Sequence, residues 1–355
     1  MRTKYLAAIF LLAIYSLGQS QGAGPAPPSN ASVQQPVVSI GLASPEYQED
    51  FPPVVADGHH AVSWNKGYLL SFGNGSRPIA LYDKTGKWLF ETPLTFEGAA
   101  RIFVQDASPS MSGRAIVAVS AVNNEGAAAD LIAEVGNDGI RRFIRTSPFY
   151  PFRVCATDDR TVWAYGKELT QDRNADPHGH YPMLREYSFE KGQLRSEVDR
   201  ITARAPKGVA VDGGIPYDVQ MRCDSKRVVI LSIPTSELME YDLGSSKVDR
   251  WPLALLPDGF HLTGAALTDS GKIYVSALHG AAKPQAQTAI FQVSVNSSGT
   301  AVWVPVTIGP AEGKWYVLLG SDGENLVYAR GLQSPTLFWS KTNSVAAMGI
   351  APTNF

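Results

Sequence analysis

From residue 37 to the end, the chain is a succession of short apolar runs rich in β-branched and aromatic residues, each bounded by Gly, Asn, Asp or Pro. No window carries apolar positions at sustained helical spacing, so the pattern predicts strands joined by turns and an all-β fold.

Within the pattern one unit repeats. A strand that ends in a tight turn is seen as Ile79-Ala-Leu-Tyr-Asp-Lys-Thr-Gly86, Leu131-Ile-Ala-Glu-Val-Gly-Asn-Asp-Gly139, Leu184-Arg-Glu-Tyr-Ser-Phe-Glu-Lys-Gly192, Leu238-Met-Glu-Tyr-Asp-Leu-Gly244, Ile290-Phe-Gln-Val-Ser-Val-Asn-Ser-Ser-Gly299 and Leu337-Phe-Trp-Ser-Lys-Thr-Asn343. With Tyr82, Val135, Tyr187, Tyr241, Val293 and Ser340 taken as equivalent, the steps are 53, 52, 54, 52 and 47 residues. A second strand precedes each copy, at Tyr68 to Phe72, Ala115 to Val119, Thr161 to Tyr165, Arg227 to Ser232, Lys272 to Ser276 and Asn325 to Ala329. A period near 50 with room for four strands marks a propeller blade. Six copies predict a six-bladed β-propeller with four antiparallel strands per blade. Named a to d from the axis outward, the two repeated strands are b and c.

A propeller ring has to be closed, because open end blades would leave unpaired edges. The lone strand Pro36-Val-Val-Ser-Ile-Gly-Leu42 is expected to supply strand d of the last blade. Ser344-Val-Ala-Ala-Met-Gly-Ile350 competes for the same place. The expected organisation is a signal peptide over 1–22, a Pro/Ala/Ser-rich tether over 23–36, one propeller domain over 37–343 and a C-terminal tail over 344–355.

The wording Leu267-Thr-Asp-Ser-Gly-Lys-Ile-Tyr-Val275 and Leu319-Gly-Ser-Asp-Gly-Glu-Asn-Leu-Val-Tyr328 resembles the NHL and TolB-like six-bladed propellers, over about residues 37 to 343. That superfamily includes gluconolactonase-like and streptogramin-lyase-like enzymes. The resemblance implies an active centre, where there is one, at the mouth of the central channel. A fold of this kind does not by itself fix a function.

Alternating strands put the a–b and c–d turns on one face of a propeller and the b–c and d–a connections on the other. The first group is short and uniform, as in Asp83-Lys-Thr-Gly86 and Thr268-Asp-Ser-Gly271. The second contains Ser44 to Gly58, Lys167 to Met183, Ala203 to Pro216, Ala254 to Phe260 and Leu278 to Gln287. Long connections on a rigid scaffold are where binding and chemistry concentrate, so the loop-rich face is the expected functional face.

Composition narrows the setting. Arg2 and Lys4 precede an apolar run from Leu6 to Leu17 and then small residues, which reads as a secretory signal peptide. The run is shorter than the roughly 20 residues a spanning helix needs. An exported, periplasmic or extracellular protein without membrane insertion is expected, and a monomer. Of 31 basic and 33 acidic residues, Arg2 and Lys4 leave with the leader. The remaining balance is acidic, which argues against a nucleic-acid surface.

Cys155 and Cys223 are the two cysteines, and both fall at the end of strand a in consecutive blades. In an exported chain that placement predicts a disulfide between blades 3 and 4. Thr170-Gln-Asp-Arg-Asn-Ala-Asp-Pro-His-Gly-His-Tyr181 is the most site-like stretch. Asp172, Asn174 and Asp176 alternate as in a calcium loop, but Pro177 stands where the turn glycine belongs and Met183 where the closing Glu would be. His178 and His180 with Asp176 would need a third ligand to hold a metal, and a solvated loop is the plainer reading. His59, His60, His261 and His279 are weak catalytic candidates near the starts of strands a or the ends of strands b. Structural histidines near turns are the plainer reading there too. The seven Trp are expected to pack between blades. Beyond the expected leader, which ends in Gly18-Gln-Ser-Gln-Gly22, there is no G-x-S-x-G, and the chain has no H-E-x-x-H, P-loop or dinucleotide fingerprint.

These features predict a binding module that presents its loop-rich face to a protein, peptide or glycan partner, with no cofactor. The alternative is a lactonase- or lyase-like enzyme at the channel mouth, for which a divalent metal becomes possible.

Overall fold

The structure is a computed structural model that describes residues 48–50, 60–73, 78–84, 87–168, 183–191, 193–198, 219–233, 235–257, 259–279, 287–306, 316–330 and 336–341. The described strands are β1 (Gln48–Asp50), β2 (His60–Asn65), β3 (Tyr68–Gly73), β4 (Pro78–Asp83), β5 (Trp88–Pro93), β6 (Arg101–Pro109), β7 (Ala115–Val122) and β8 (Ala128–Gly136). They continue as β9 (Gly139–Arg145), β10 (Phe149–Ala156), β11 (Thr161–Glu168), β12 (Met183–Ser188), β13 (Gln193–Val198), β14 (Val219–Cys223), β15 (Arg227–Ser232) and β16 (Glu237–Asp242). The last are β17 (Val248–Pro252), β18 (Phe260–Leu267), β19 (Ile273–His279), β20 (Gln287–Val295), β21 (Ala301–Val306), β22 (Tyr316–Asp322), β23 (Asn325–Arg330) and β24 (Thr336–Lys341).

They form four-stranded antiparallel sheets in the orders β2-β3-β4-β5, β6-β7-β8-β9, β10-β11-β12-β13, β14-β15-β16-β17, β18-β19-β20-β21 and β1-β24-β23-β22. Five of these are simple meanders. The sixth takes its outer strand from the opposite end of the chain, with Gln48 opposite Phe338 and Asp50 opposite Thr336. That strand is not the expected 36–42 segment, which lies outside the described residues together with 344–350. Its sequence, Gln-Glu-Asp, explains the miss: an outermost strand needs no apolar pattern, so hydrophobicity does not mark it. The stretch from Ser44 to Gly58, expected to be loop, therefore contains a strand.

The inner strands touch in the cyclic order β2, β6, β10, β14, β18, β22 and back to β2. The all-β propeller fold follows from that arrangement. Each sheet buries both faces against its neighbours, and the middle strands show why. In β7, Ala115, Val117 and Val119 join the core shared with the first sheet, while Ile116 and Ala118 join the core shared with the third. A strand buried on both sides reads as a continuous apolar run and not as an alternation, which is the Ala-Ile-Val-Ala-Val seen here. The same arrangement repeats between the third and fourth sheets around Trp163, Met221 and Ile230. It repeats between the fourth and fifth around Leu231 and Phe291, the fifth and sixth around Tyr274 and Leu318, and the sixth and first around Trp64 and Leu319.

Trp64 and Trp163 pack between sheets as expected, whereas Trp88, at the start of an outer strand, is 53% exposed. Cys155 in β10 and Cys223 in β14 form a disulfide with a Cα–Cα distance of 6.0 Å. Their strand positions are not equivalent, since Cys155 lies opposite Trp163, the third residue of β11, and Cys223 opposite Val228, the second of β15. Among the described residues no helix is long and apolar enough to cross a membrane.

Candidate functional site: the channel and the two faces

The inner strands depart from regular pairing at one level. Bulges interrupt β6 between Val104 and Asp106, β10 between Pro151 and Arg153, β18 between Leu262 and Gly264, and β22 between Leu318 and Gly320. A bulge takes a residue out of the ladder and re-aims its neighbours. Side chains from one sheet then meet backbone groups of the next.

The result is a girdle of hydrogen bonds around the channel. Asn65 Nδ2 donates to Pro109 O at 3.0 Å, and Val154 N–H to Asp106 Oδ2 at 2.9 Å. Arg153 Nε donates to Val219 O at 2.8 Å and Arg222 Nε to Ala265 O at 2.7 Å. Leu318 N–H donates to Ser276 Oγ at 3.0 Å, Ser321 Oγ to Leu267 O at 2.5 Å, and Trp64 Nε1 to Ser321 O at 3.1 Å. Every contact between successive inner strands carries at least one such bond. Each bond gives a backbone group of one sheet a side-chain partner from another.

Three charged residues belong to this girdle: Asp106 on β6, Arg153 on β10 and Arg222 on β14. All three are half-buried by surface area although the protein surrounds them, as expected of side chains lining a solvent-reached channel. Arg153 Nη1 also donates to Phe152 O at 2.7 Å, and Arg222 Nη1 to Met221 O at 2.8 Å. Burial raises the Asp106 carboxyl above its ordinary range, against the opposing pull of Arg153, the Val154 N–H, Arg222 and the Ala107 N–H. Burial likewise pushes Arg222 down to about 10, with Arg153 adding to the shift and Asp106 opposing it.

The sign of the Asp106 shift has a measurable result. The folded chain holds that proton to higher pH than the unfolded chain, so the stability it contributes at low pH is lost as pH rises from the ordinary value of 3.8 through the raised folded value. Asp106→Asn keeps an acceptor for Val154 N–H and removes the titration. Its stability, followed by denaturant unfolding from pH 4 upward, is expected to fall less with rising pH than that of the parent. Parallel curves would contradict the assignment.

The sequence-predicted candidates fall elsewhere. His60 and His261 begin or nearly begin inner strands of the first and fifth sheets, at the loop-side end of the channel. His261 and His279 are not brought together. Phe260 lies opposite His279 and His261 opposite Leu278, so the two imidazoles leave opposite faces of the sheet. His279 packs at a tilt against Phe260 with ring centroids 4.9 Å apart and covers Gly259, whose φ is +78°. That is packing at a turn. His59, Asp172, Asn174, Asp176, His178 and His180 lie outside the described residues. Among the described residues no group of three or more His, Cys, Asp or Glu is arranged to hold a metal ion.

The channel charges were missed because an isolated Asp or Arg in a short strand reads as an outward-facing residue. A signal was present: Gln-Met-Arg-Cys and Pro-Phe-Arg-Val-Cys set a cation between apolar residues in an inner strand.

The fold and the girdle define the chain as a β-propeller protein. No family profile and no curated protein matches it. Solved structures with a similar chain path include a member of the DUF4221 family from Bacteroides vulgatus, with 11% identity, TM-score 0.49 and coverage of 84% of this chain and 97% of the other. A gluconolactonase from Xanthomonas campestris has 13% identity and TM-score 0.38, covering 84% and 99%. The WD40 repeats of RRP9 have 9% identity and TM-score 0.41, covering 83% and 100%.

Proposed function

We propose that the chain is an exported, monomeric, six-bladed propeller, closed through Gln48–Asp50, that binds a protein, peptide or glycan partner on its loop-rich face. The observation that carries this reading is the difference between the faces. Strand pairing assigns 66–67, 110–114, 157–160, 224–226, 268–272 and 323–324, with 84–87, 137–138, 189–192, 243–247 and 296–300, to one side. None of these exceeds five residues. The other side carries 169–182, 199–218, 280–286 and 307–315 among its connections. Most connections in compact domains are about 4–6 residues, and binding residues are carried disproportionately on connections over a rigid scaffold.

The short turns are closed locally, as is the short 123–127 connection of the other side, where Asn123 Oδ1 accepts the Glu125 and Ala127 N–H groups. Asp158 Oδ1 accepts the Arg160 and Thr161 N–H groups, Asp224 Oδ1 those of Lys226 and Arg227, and Asn296 Oδ1 those of Ser298 and Thr300. Side chains spent on holding a turn are not offered to a partner.

A second reading has one observation in its favour: His60 and His261 stand at the loop-side end of the channel, where lactonase- or lyase-like chemistry would need an acid or base. The two readings separate on metal content and turnover. Protein purified without chelator or His-tag is expected to contain no stoichiometric metal by elemental mass spectrometry and to hydrolyse no lactone or ester in a broad panel. A stoichiometric divalent ion together with turnover that is lost on its removal would replace the binding module with the enzyme.

A further inference from the structure

We infer that the Arg222 guanidinium, on the channel wall, is a binding site for a small carboxylate. The inference is independent of the loop-rich face, because Arg222 is the next-to-last residue of β14 and so lies toward the short-turn end of the channel.

Arg222 reaches across three sheets. Its Nε donates to Ala265 O at 2.7 Å in the fifth sheet, its Nη1 to Met221 O at 2.8 Å in its own, and its Nη2 to Leu319 O at 3.4 Å in the sixth. These acceptors are all neutral carbonyls. A guanidinium carries five N–H groups, so two have no partner among the described residues. Among the described residues no carboxylate lies within ion-pair distance of it. Asp106 attracts it from farther away, and Arg153 repels it.

A cation so placed is short of compensation. Taking a guanidinium partly out of water is unfavourable unless an opposite charge meets it, and carbonyl dipoles do this only in part. It remains charged at neutral pH, since its pKa is lowered only to about 10. Solvent still reaches it: Gln220 and Arg222 keep partial exposure, whereas Val219, Met221 and Cys223 on the opposite face of the strand are buried. Gln220, two residues along the same face, brings an amide to the same wall.

The ligand class follows from shape and charge. A planar guanidinium pairs with a carboxylate through parallel N–H···O bonds. A dianion such as sulfate would meet Asp106, whose negative charge disfavours a second concentrated one. A monoanionic carboxylate on a small molecule is the match.

The test is an NMR titration of the whole isotope-labelled protein with sodium formate and sodium acetate, with ionic strength held constant by sodium chloride and sodium sulfate as a separate arm. The expected result is saturable shifts confined to the Arg222 Nε–H and the Met221, Ala265 and Leu319 amides. Affinity is expected to weaken at least tenfold in Arg222→Lys and to vanish in Arg222→Met, with sulfate at least tenfold weaker than formate. Shifts that rise linearly, spread over the surface, persist unchanged in Arg222→Lys or appear equally with chloride alone would overturn the site. Should Arg222→Met not fold, the parent and Arg222→Lys titrations decide the matter.

Discussion

Gly264→Ala is expected to lower folding stability by about 3 kcal/mol, at the upper end of the usual range for overpacking. Gly264 follows the bulge in β18, and a Cβ placed there would overlap Leu318 O of β22 and press on Ser276 Oγ at 3.2 Å. The obstacle is backbone, so no side-chain rotation can relieve it. Ser276 Oγ cannot withdraw without losing the N–H of Leu318, and it also shares a hydrogen bond with Thr263 Oγ1 at 2.9 Å. One methyl group therefore acts on both strands and on the girdle bond between them. Gly299 is the control. Its φ is +77° and a Cβ there meets nothing within 4 Å, so Gly299→Ala should cost only the conformational penalty of about 1 kcal/mol. Denaturant midpoints of the two variants measure the difference. Equal losses would mean that β18 and β22 do not approach as closely as the girdle requires.

Removing the Cys155–Cys223 bond comes next in size. The bond closes a loop of 68 residues that contains the 199–218 connection, the longest between successive described strands. Without it, the third and fourth sheets depend on their shared core and the Arg153 to Val219 bond to stay in register. A cross-link closing a loop of that size stabilises typically by about 2–4 kcal/mol, chiefly by restricting the unfolded chain. Both sulfurs sit in the buried cluster around Trp163 and Met221, at the short-turn side of the sheets. The Cys155→Ala, Cys223→Ala double variant should therefore lose stability by about that amount and retain its fold by circular dichroism. An unchanged midpoint would remove the staple from the account.

Both cases bear on what the sequence could and could not reveal. Strands b and c were legible because burial on both faces leaves runs such as Ala115-Ile-Val-Ala-Val119 that no solvent-facing strand would carry. The cysteine pair was legible because the two thiols fall near the ends of inner strands in neighbouring repeats, close enough to bond although their positions differ by one residue of register. The inner strands were harder. Their bulges break the period, and Asp106, Arg153 and Arg222 are stabilised by backbone groups of other sheets that no local pattern can reveal. Strand β1 was hidden for the opposite reason, being wholly polar at an outer edge. The histidines illustrate a third limit: His261 and His279 are close in the repeat, but register sends them to opposite faces of one sheet.

The girdle and the unequal faces give the molecule a division of labour. Bulges, interstrand arginines and the disulfide fix the inner ring, and the short Asx-closed turns finish one side of it. The lengths that vary lie on the other side, where change costs the scaffold least, since a longer surface loop adds only a small closure penalty.

The most direct test of binding through that side is site-specific photocrosslinking in the native host. One photoreactive residue replaces Leu255, which is 86% exposed on the loop-rich side, and another replaces exposed Ser298 in the short turn after β20. Binding through the loop-rich side should give a discrete adduct from position 255 and none from position 298, with both variants folded. An adduct from position 298 alone, or the same adduct from both, would contradict it.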